Sequence, residues 1–204
     1  MAISYPVNLP TTINPQSFDM RLIRATGMTQ SPFSFNQQVY QHPGAMWQAE
    51  MRFPPMSRSE VAAFQAFLIS LRGRRGTFLM GDPIGSTIRG TATGLQFDGA
   101  QTLRSTEVDV KNMGDTKTIL AGDLIQVGTG SDARLHMVVA DATSNASGEA
   151  TIDIEPGLRK NVSDSESISI ADTVGVWRLS ADDVGWSIDL ASQYGITIPC
   201  MEAL

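Results

Sequence analysis

The chain has 204 residues, 42% hydrophobic and 18% charged, with a net charge of −6 and a pI near 4.8. That size and composition suit one large or two small domains with real cores and argue against extended disorder, while the acidic balance argues against a general nucleic-acid binder. No apolar run is long enough to span a bilayer, the start Met1–Pro6 lacks a signal-peptide pattern, which predicts retention in a cytoplasm, and the lone Cys200 excludes an intramolecular disulfide or a cysteine-clustered metal site.

Taken in chain order, the first clear element is a strand. Trp47, Ala49, Met51 and Phe53 alternate with Gln48, Glu50 and Arg52, the period of a half-buried strand. A helix over 57–72 follows. Ser57 and Glu60 have capping-box spacing, Met56 and Val61 can form a hydrophobic staple, and Gly73 follows the last turn. Val61, Phe64, Phe67, Leu68 and Leu71 recur on one face, so the helix should cover a sheet. Gly81–Ser86 reads as a β-turn with Pro83 at its second position, because it lacks the Gly-Lys-Ser/Thr ending of a phosphate loop.

The stretch 86–171 differs from its flanks. Of fourteen aromatic residues it holds only Phe97, and it carries twelve acidic and seven basic side chains against nine and eight elsewhere. All three lysines, Lys111, Lys117 and Lys160, lie in it. Glu107–Lys111 and Ala150–Glu155 alternate, Leu124–Val127 and Leu135–Val139 are aliphatic runs, and turn residues separate them. The expected fold class is therefore mainly β. Residues 1–85 and 172–204 should form a β-sandwich core with one packed α-helix, and 86–171 an inserted small antiparallel β-barrel or sandwich. The insertion is expected to be separable from an independently folding core. After it, 174–179 and 186–190 read as short strands, and Tyr194, Ile196, Ile198 and Cys200 as the buried face of a last one. Pro199, which has no N–H to donate, would fit an edge position for that last strand.

Residues capable of chemistry do not converge. His42 precedes a Pro-Gly turn and His136 sits in a strand, without a second ligand at metal-binding spacing. No Gly-x-Ser-x-Gly elbow or DxDxDG loop occurs, and acidic pairs such as Asp109 and Asp115 are ordinary in an acidic β-rich chain. The reading is non-enzymatic, with no cofactor and no metal. One cluster remains, Arg72-Gly73-Arg74-Arg75-Gly76. It either opposes the negative end of the helix dipole or recognises carboxylates of another subunit. Arg72, Arg74 and Arg75, with Asp182 and Asp183 as acidic counterparts, are the candidate subunit interface.

Met46-Trp47-Gln48-Ala49-Glu50, Pro54-Pro55-Met56, the helix end through Arg72-Gly73-Arg74-Arg75-Gly76-Thr77-Phe78, and Gly81-Asp82-Pro83 resemble a family of phage tail proteins. So do Ala121–Gly128, Leu135–Val139, Ile154–Arg159, Val176–Leu179 and the ending from Trp186 to Leu204. The resemblance is to distal tail or minor tail proteins of long-tailed bacteriophages and covers the chain from about Trp47 onward. It implies a structural virion protein, synthesised in the host cytoplasm, at the distal end of the tail. Such a protein forms a homo-oligomeric, usually six-fold ring that joins the tail tube to the hub and receptor-binding proteins. Genome DNA passes through without specific binding. The alternatives are another minor tail, hub or head-to-tail component, or a tail-tip carbohydrate-binding module, against which the near absence of aromatics from 86–171 counts.

Overall fold

The computed structural model describes residues 3–204. In chain order its elements are β1 (Val7–Asn8), β2 (Ser17–Gln30), β3 (Gln37–Arg52), α1 (Arg58–Leu71), a 3-10 turn (Gly73–Arg75), β4 (Phe78–Met80), β5 (Leu95–Phe97), β6 (Glu107–Lys111), β7 (Thr118–Ile119) and β8 (Leu124–Val127). A second 3-10 turn (Gly130–Asp132) leads into β9 (Arg134–Val138), β10 (Ala142–Thr143), β11 (Ala150–Glu155), β12 (Ser167–Ser169), β13 (Gly175–Leu179), β14 (Ser187–Ile188), β15 (Tyr194–Gly195) and β16 (Thr197–Glu202). The protein is mainly β with one α-helix. Among the described residues no helix is long and apolar enough to cross a membrane.

Six strands form one sheet in the order β1-β4-β13-β16-β3-β2, antiparallel except for β1 against β4. Every one of them lies in 1–85 or 172–204. A second set closes a small barrel in the order β11-β6-β5-β12-β8-β9, and every one of its strands lies in 86–171. Phe97 is fully buried in the barrel among Val108, Val110, Ile125, Ile152 and Ile154. This is why one aromatic suffices: the interior of so small a barrel is filled by branched aliphatic side chains.

The flanking unit holds the six-stranded sheet, a second sheet of two strands, β14 and β15, and the one packed helix. One face of the six-stranded sheet packs on the helix, with Met51, Phe53, Phe78, Trp177 and Ile198 against Val61, Phe64, Phe67, Leu68 and Leu71 of α1, and the opposite face is covered around Val176 and Ala203 by Ala133. Phe53 and Phe64 meet with ring centroids 4.5 Å apart, and Phe67 meets Phe78 edge-on at 5.4 Å. Elsewhere that opposite face carries Gln48, Glu50, Arg52 and Thr197, at least partly exposed, as an antiparallel sheet allows.

The helix begins where the spacing predicts. The Glu60 carboxylate accepts from the Ser57 N–H at 2.8 Å and from the Ser57 hydroxyl at 2.7 Å, which together hold its pKa below the ordinary glutamate value. At the other end Arg72, not Gly73 alone, takes the left-handed conformation, with φ of 54° and 69° in the two residues. Leu68→Ala should cost about 2–5 kcal/mol, because Leu68 is buried under the sheet. Ser57→Ala should cost about 0.5–2 kcal/mol, because Ser57 and Glu60 close a capping box at the start of the helix. Urea unfolding of both variants checks the order, and a larger loss from the serine change would mean that the helix is anchored elsewhere.

Two expectations need correction. Pro199 lies in an interior strand, since β16 runs between β13 and β3. It is tolerated because the β13 ladder ends at Leu179, opposite Cys200; the Pro199 carbonyl accepts from Ser180 N–H at 3.1 Å, so its missing donor faces a ladder that has stopped. The insertion, moreover, is not packed as a separable body. Leu135 of β9 belongs to the aromatic core, its carbonyl accepts from Trp47 Nε1 at 3.0 Å, and Met137 packs beside it. Ala133, Val176 and Ala203 form a further apolar seam. Arg159 of the insertion grips Glu202 of β16 with Nη2–Oε2 at 2.6 Å and Nε–Oε1 at 3.2 Å. Excising 86–171 would unroof Trp47 and strand Glu202, so the core is not expected to survive it unchanged.

The Ala121–Gly128 motif has a structural explanation. Asp123 is buried and accepts from the N–H groups of Arg89, Gly90 and Leu120 and from Arg89 Nε. Burial disfavours its charge, yet these donors outweigh that effect and hold its pKa below the ordinary aspartate value. It pins the entry strap of the insertion to the barrel.

Candidate assembly surfaces

The largest unpartnered feature is an arm. Strands β2 and β3 pair from Ser17 opposite Arg52 out to Gln30 opposite Gln37, whereas β16 accompanies β3 only between Arg52 and Gln48. Beyond that point the two strands run on as a ribbon, roughly 30 Å long at the usual rise per residue. Both of its outer rows of backbone groups lack a strand partner among the described residues. A bulge at the arm's base sets His42-Pro43-Gly44 against Ala25, where the register shifts between Arg24 and Thr26.

The chemistry of the arm is unusual for a solvent-exposed edge. Between Arg24 and Glu50 there is no Asp, Glu, Lys or Arg. Met28 and Val39 sit directly opposite each other and both are exposed, as is Tyr40 across from Gly27. At the tip, Phe33 is 95% exposed and Phe35 71%. Phe35 is also held at a φ of 58°, a conformation that strains a bulky residue, by its N–H donating to the Ser31 carbonyl at 2.9 Å. Soluble proteins protect long edges with charges, prolines or cover. The base of β2 follows that rule, with Asp19, Arg21 and Arg24; the arm does not.

The arginine cluster lies at the opposite end of the sheet. Arg72, Arg74 and Arg75 are exposed just past the C-terminus of α1, and none pairs with a carboxylate among the described residues. Asp182 is brought to this loop by its own chain, but through the main chain: its Oδ1 accepts from Arg74 N–H at 3.0 Å. It also packs so close to Gly73 that a β-carbon there would lie 2.8 Å from Oδ1. Asp182 therefore braces the loop and leaves the guanidinium groups free, while Asp183 is exposed and lines a shallow groove with Leu68, Leu179 and Pro199. Arg75→Glu is expected to leave the fold intact and to block incorporation into assembled particles. Unchanged incorporation, with a normal circular dichroism spectrum, would return the cluster to the helix-dipole role alone.

Neither histidine joins a cluster, and among the described residues no group of His, Cys, Asp and Glu is arranged to hold a metal. His136 is fully buried, on the Ile125 side of β9. Its Nδ1 lies 2.6 Å from the Pro156 carbonyl and its Nε2 has no partner. Burial is the main cause that pushes its pKa down to about 4, with Arg159 and Arg134 adding to it.

No family's sequence profile matches the chain, and no curated protein sequence matches it.

The arm lies outside the elements that the residue patterns predict. Its signal was present: Phe18, Met20 and Leu22 alternate with Asp19 and Arg21, and Ser31-Pro32 and Asn36 are turn residues. The alternation fades into uncharged polar residues just where the ribbon leaves the core, so no buried face marks the outer half.

Proposed function

We propose that this chain is a non-enzymatic structural subunit of the distal end of a long bacteriophage tail, where copies form a ring between the tail tube and the hub and receptor-binding proteins. The observation that carries this reading is the uncharged, apolar-tipped arm with two open backbone edges. A strand edge of that kind is a template for another chain. In a closed ring every copy supplies one arm and receives one neighbour, so each exposed edge is used and none remains to propagate. The resemblance of the motifs from Trp47 onward to tail proteins supports the same assignment. Without Lys or Arg, an arm that borders the channel would not hold genome phosphates as they pass.

The test is complementation of a phage that lacks the gene, using a variant in which residues 27–40 are replaced by Asn-Gly. Thr26 and Gln41 are directly paired, so a two-residue turn can close the shortened hairpin. The variant is expected to fold and to yield no completed tails. Normal tails from it would remove the arm, and with it the main support for ring assembly.

A further inference from the structure

A cleft of about 600 Å³ lies between the base of the arm and the barrel. Four of the chain's twelve arginines line it, Arg24, Arg104, Arg134 and Arg159, and Glu155 is the one carboxylate side chain on its wall. Arg24 is held by Glu155 at 3.1 Å and Arg159 by Glu202. Arg104 and Arg134 have no carboxylate partner among the described residues; Arg134 donates only to the Ser131 and Ala133 carbonyls, at 3.1 and 2.9 Å. Arg104 is fixed on the lip in a left-handed conformation, φ 72°, with its N–H donating to the Leu158 carbonyl at 2.8 Å. Leu103 beside it is 47% exposed, and Pro43 and Leu158 give the cleft apolar walls. The cleft is thus cationic with apolar sides, in a protein of net charge −6.

The same chain carries the complement at the other end of the sheet. Asp183 is exposed and accepts no hydrogen bond among the described residues, and the hairpin that follows it presents Trp186, Ile188 and Leu190, the last fully exposed. This hairpin precedes Thr197 at one end of β16, while the cleft adjoins Glu202 at the other end. Six residues of strand set the two roughly 17 Å apart. They sit at opposite ends of a rigid sheet, so one chain cannot join them to each other.

We infer that the arginine cleft of one copy receives the Asp183–Leu190 segment of the next copy, the connection and first strand of the β14–β15 hairpin, with Arg104 and Arg134 on Asp183 and the exposed apolar residues against Leu103, Pro43 and Leu158. This rests on the proposed assembly of copies and names a further contact that assembly uses, beside the arm and the arginine loop. Two different patches meet, so the contact is head-to-tail, the kind that closes into rings. Guanidinium forks suit a carboxylate, and the contact weakens with salt.

The experiment is mass photometry and sedimentation of the purified full-length chain across concentration and salt, with Arg104→Asp, Asp183→Arg and the double variant. Each single variant should weaken self-association by at least about tenfold, and the double variant, which restores opposite charges across the contact, should recover most of it. Trp186→Ala should weaken association without changing its salt dependence. Wild-type association that is unaffected by either charge reversal would overturn this contact while leaving assembly through the arm standing. Two weakened singles without recovery in the double would also overturn the pairing. A wild-type chain that stays monomeric throughout would overturn the contact and the copy-to-copy reading together.

Discussion

Arg159→Ala is expected to destabilise the protein by about 3–5 kcal/mol, the range for stranding one member of a buried ion pair. Arg159 and Glu202 have side chains only 14% and 3% exposed, and their two hydrogen bonds join the barrel to β16. Glu202 also accepts from Trp47 N–H at 3.1 Å, so the carboxylate cannot swing out to water without breaking β3 as well. Arg21→Ala is the matched control. Arg21 is exposed and reaches only Gln48, so its loss should stay within about 0.5 kcal/mol. Denaturant unfolding compares the two, and the double change Arg159→Met with Glu202→Leu should regain much of the loss because no buried charge is left alone. An Arg159→Ala protein as stable as the control would mean that the barrel and the sheet are not clamped here.

The second large effect is on pH dependence. His136 is buried neutral with its pKa near 4, against an ordinary value of 6.5. Above pH 6.5 neither folded nor unfolded chain binds the proton, and the contribution to stability is fully present. As pH falls from 6.5 to 4 the unfolded chain takes up the proton and the folded one does not, so stability is lost across that window. At 1.36 kcal/mol per unit, the loss amounts to about 3 kcal/mol. Melting temperatures measured every half unit should fall over this range and fall much less in His136→Met. Parallel curves for the two proteins would show that the imidazole reaches solvent. The unpartnered Nε2 is consistent with the predicted direction, since a neutral ring needs no second donor site while a protonated one would have a buried N–H without an acceptor.

The pattern of residues made much of the fold legible, for identifiable reasons. The helix could be read because its apolar stripe and its Ser57–Glu60 cap are both local, and both are present in the structure. The aliphatic character of 86–171 could be read because barrel interiors select branched side chains along each strand. Contacts between distant segments could not. Leu135 looks like any barrel residue, yet it faces the aromatic core, because β9 shows one face to the barrel and the other to Trp47. Pro199 signals an edge, and only the early end of β13 makes an interior position acceptable. Asp182 looked like a partner for a guanidinium, but its distance to the Arg74 amide depends on how the β13–β14 connection folds back. The arm is the clearest case: a strand that leaves the core loses the alternation by which strands are recognised, and its meaning lies in what it lacks.

We propose that this arm joins copies of the chain at the distal end of a tail, and cryo-electron microscopy of that tail end is the decisive measurement. The expected density is a ring of this chain in which each arm, from Thr26 to Gln41, lies against the neighbouring copy with Phe33 and Phe35 covered. A tail end without such a ring, or a ring whose arms stand free in solvent, would contradict it.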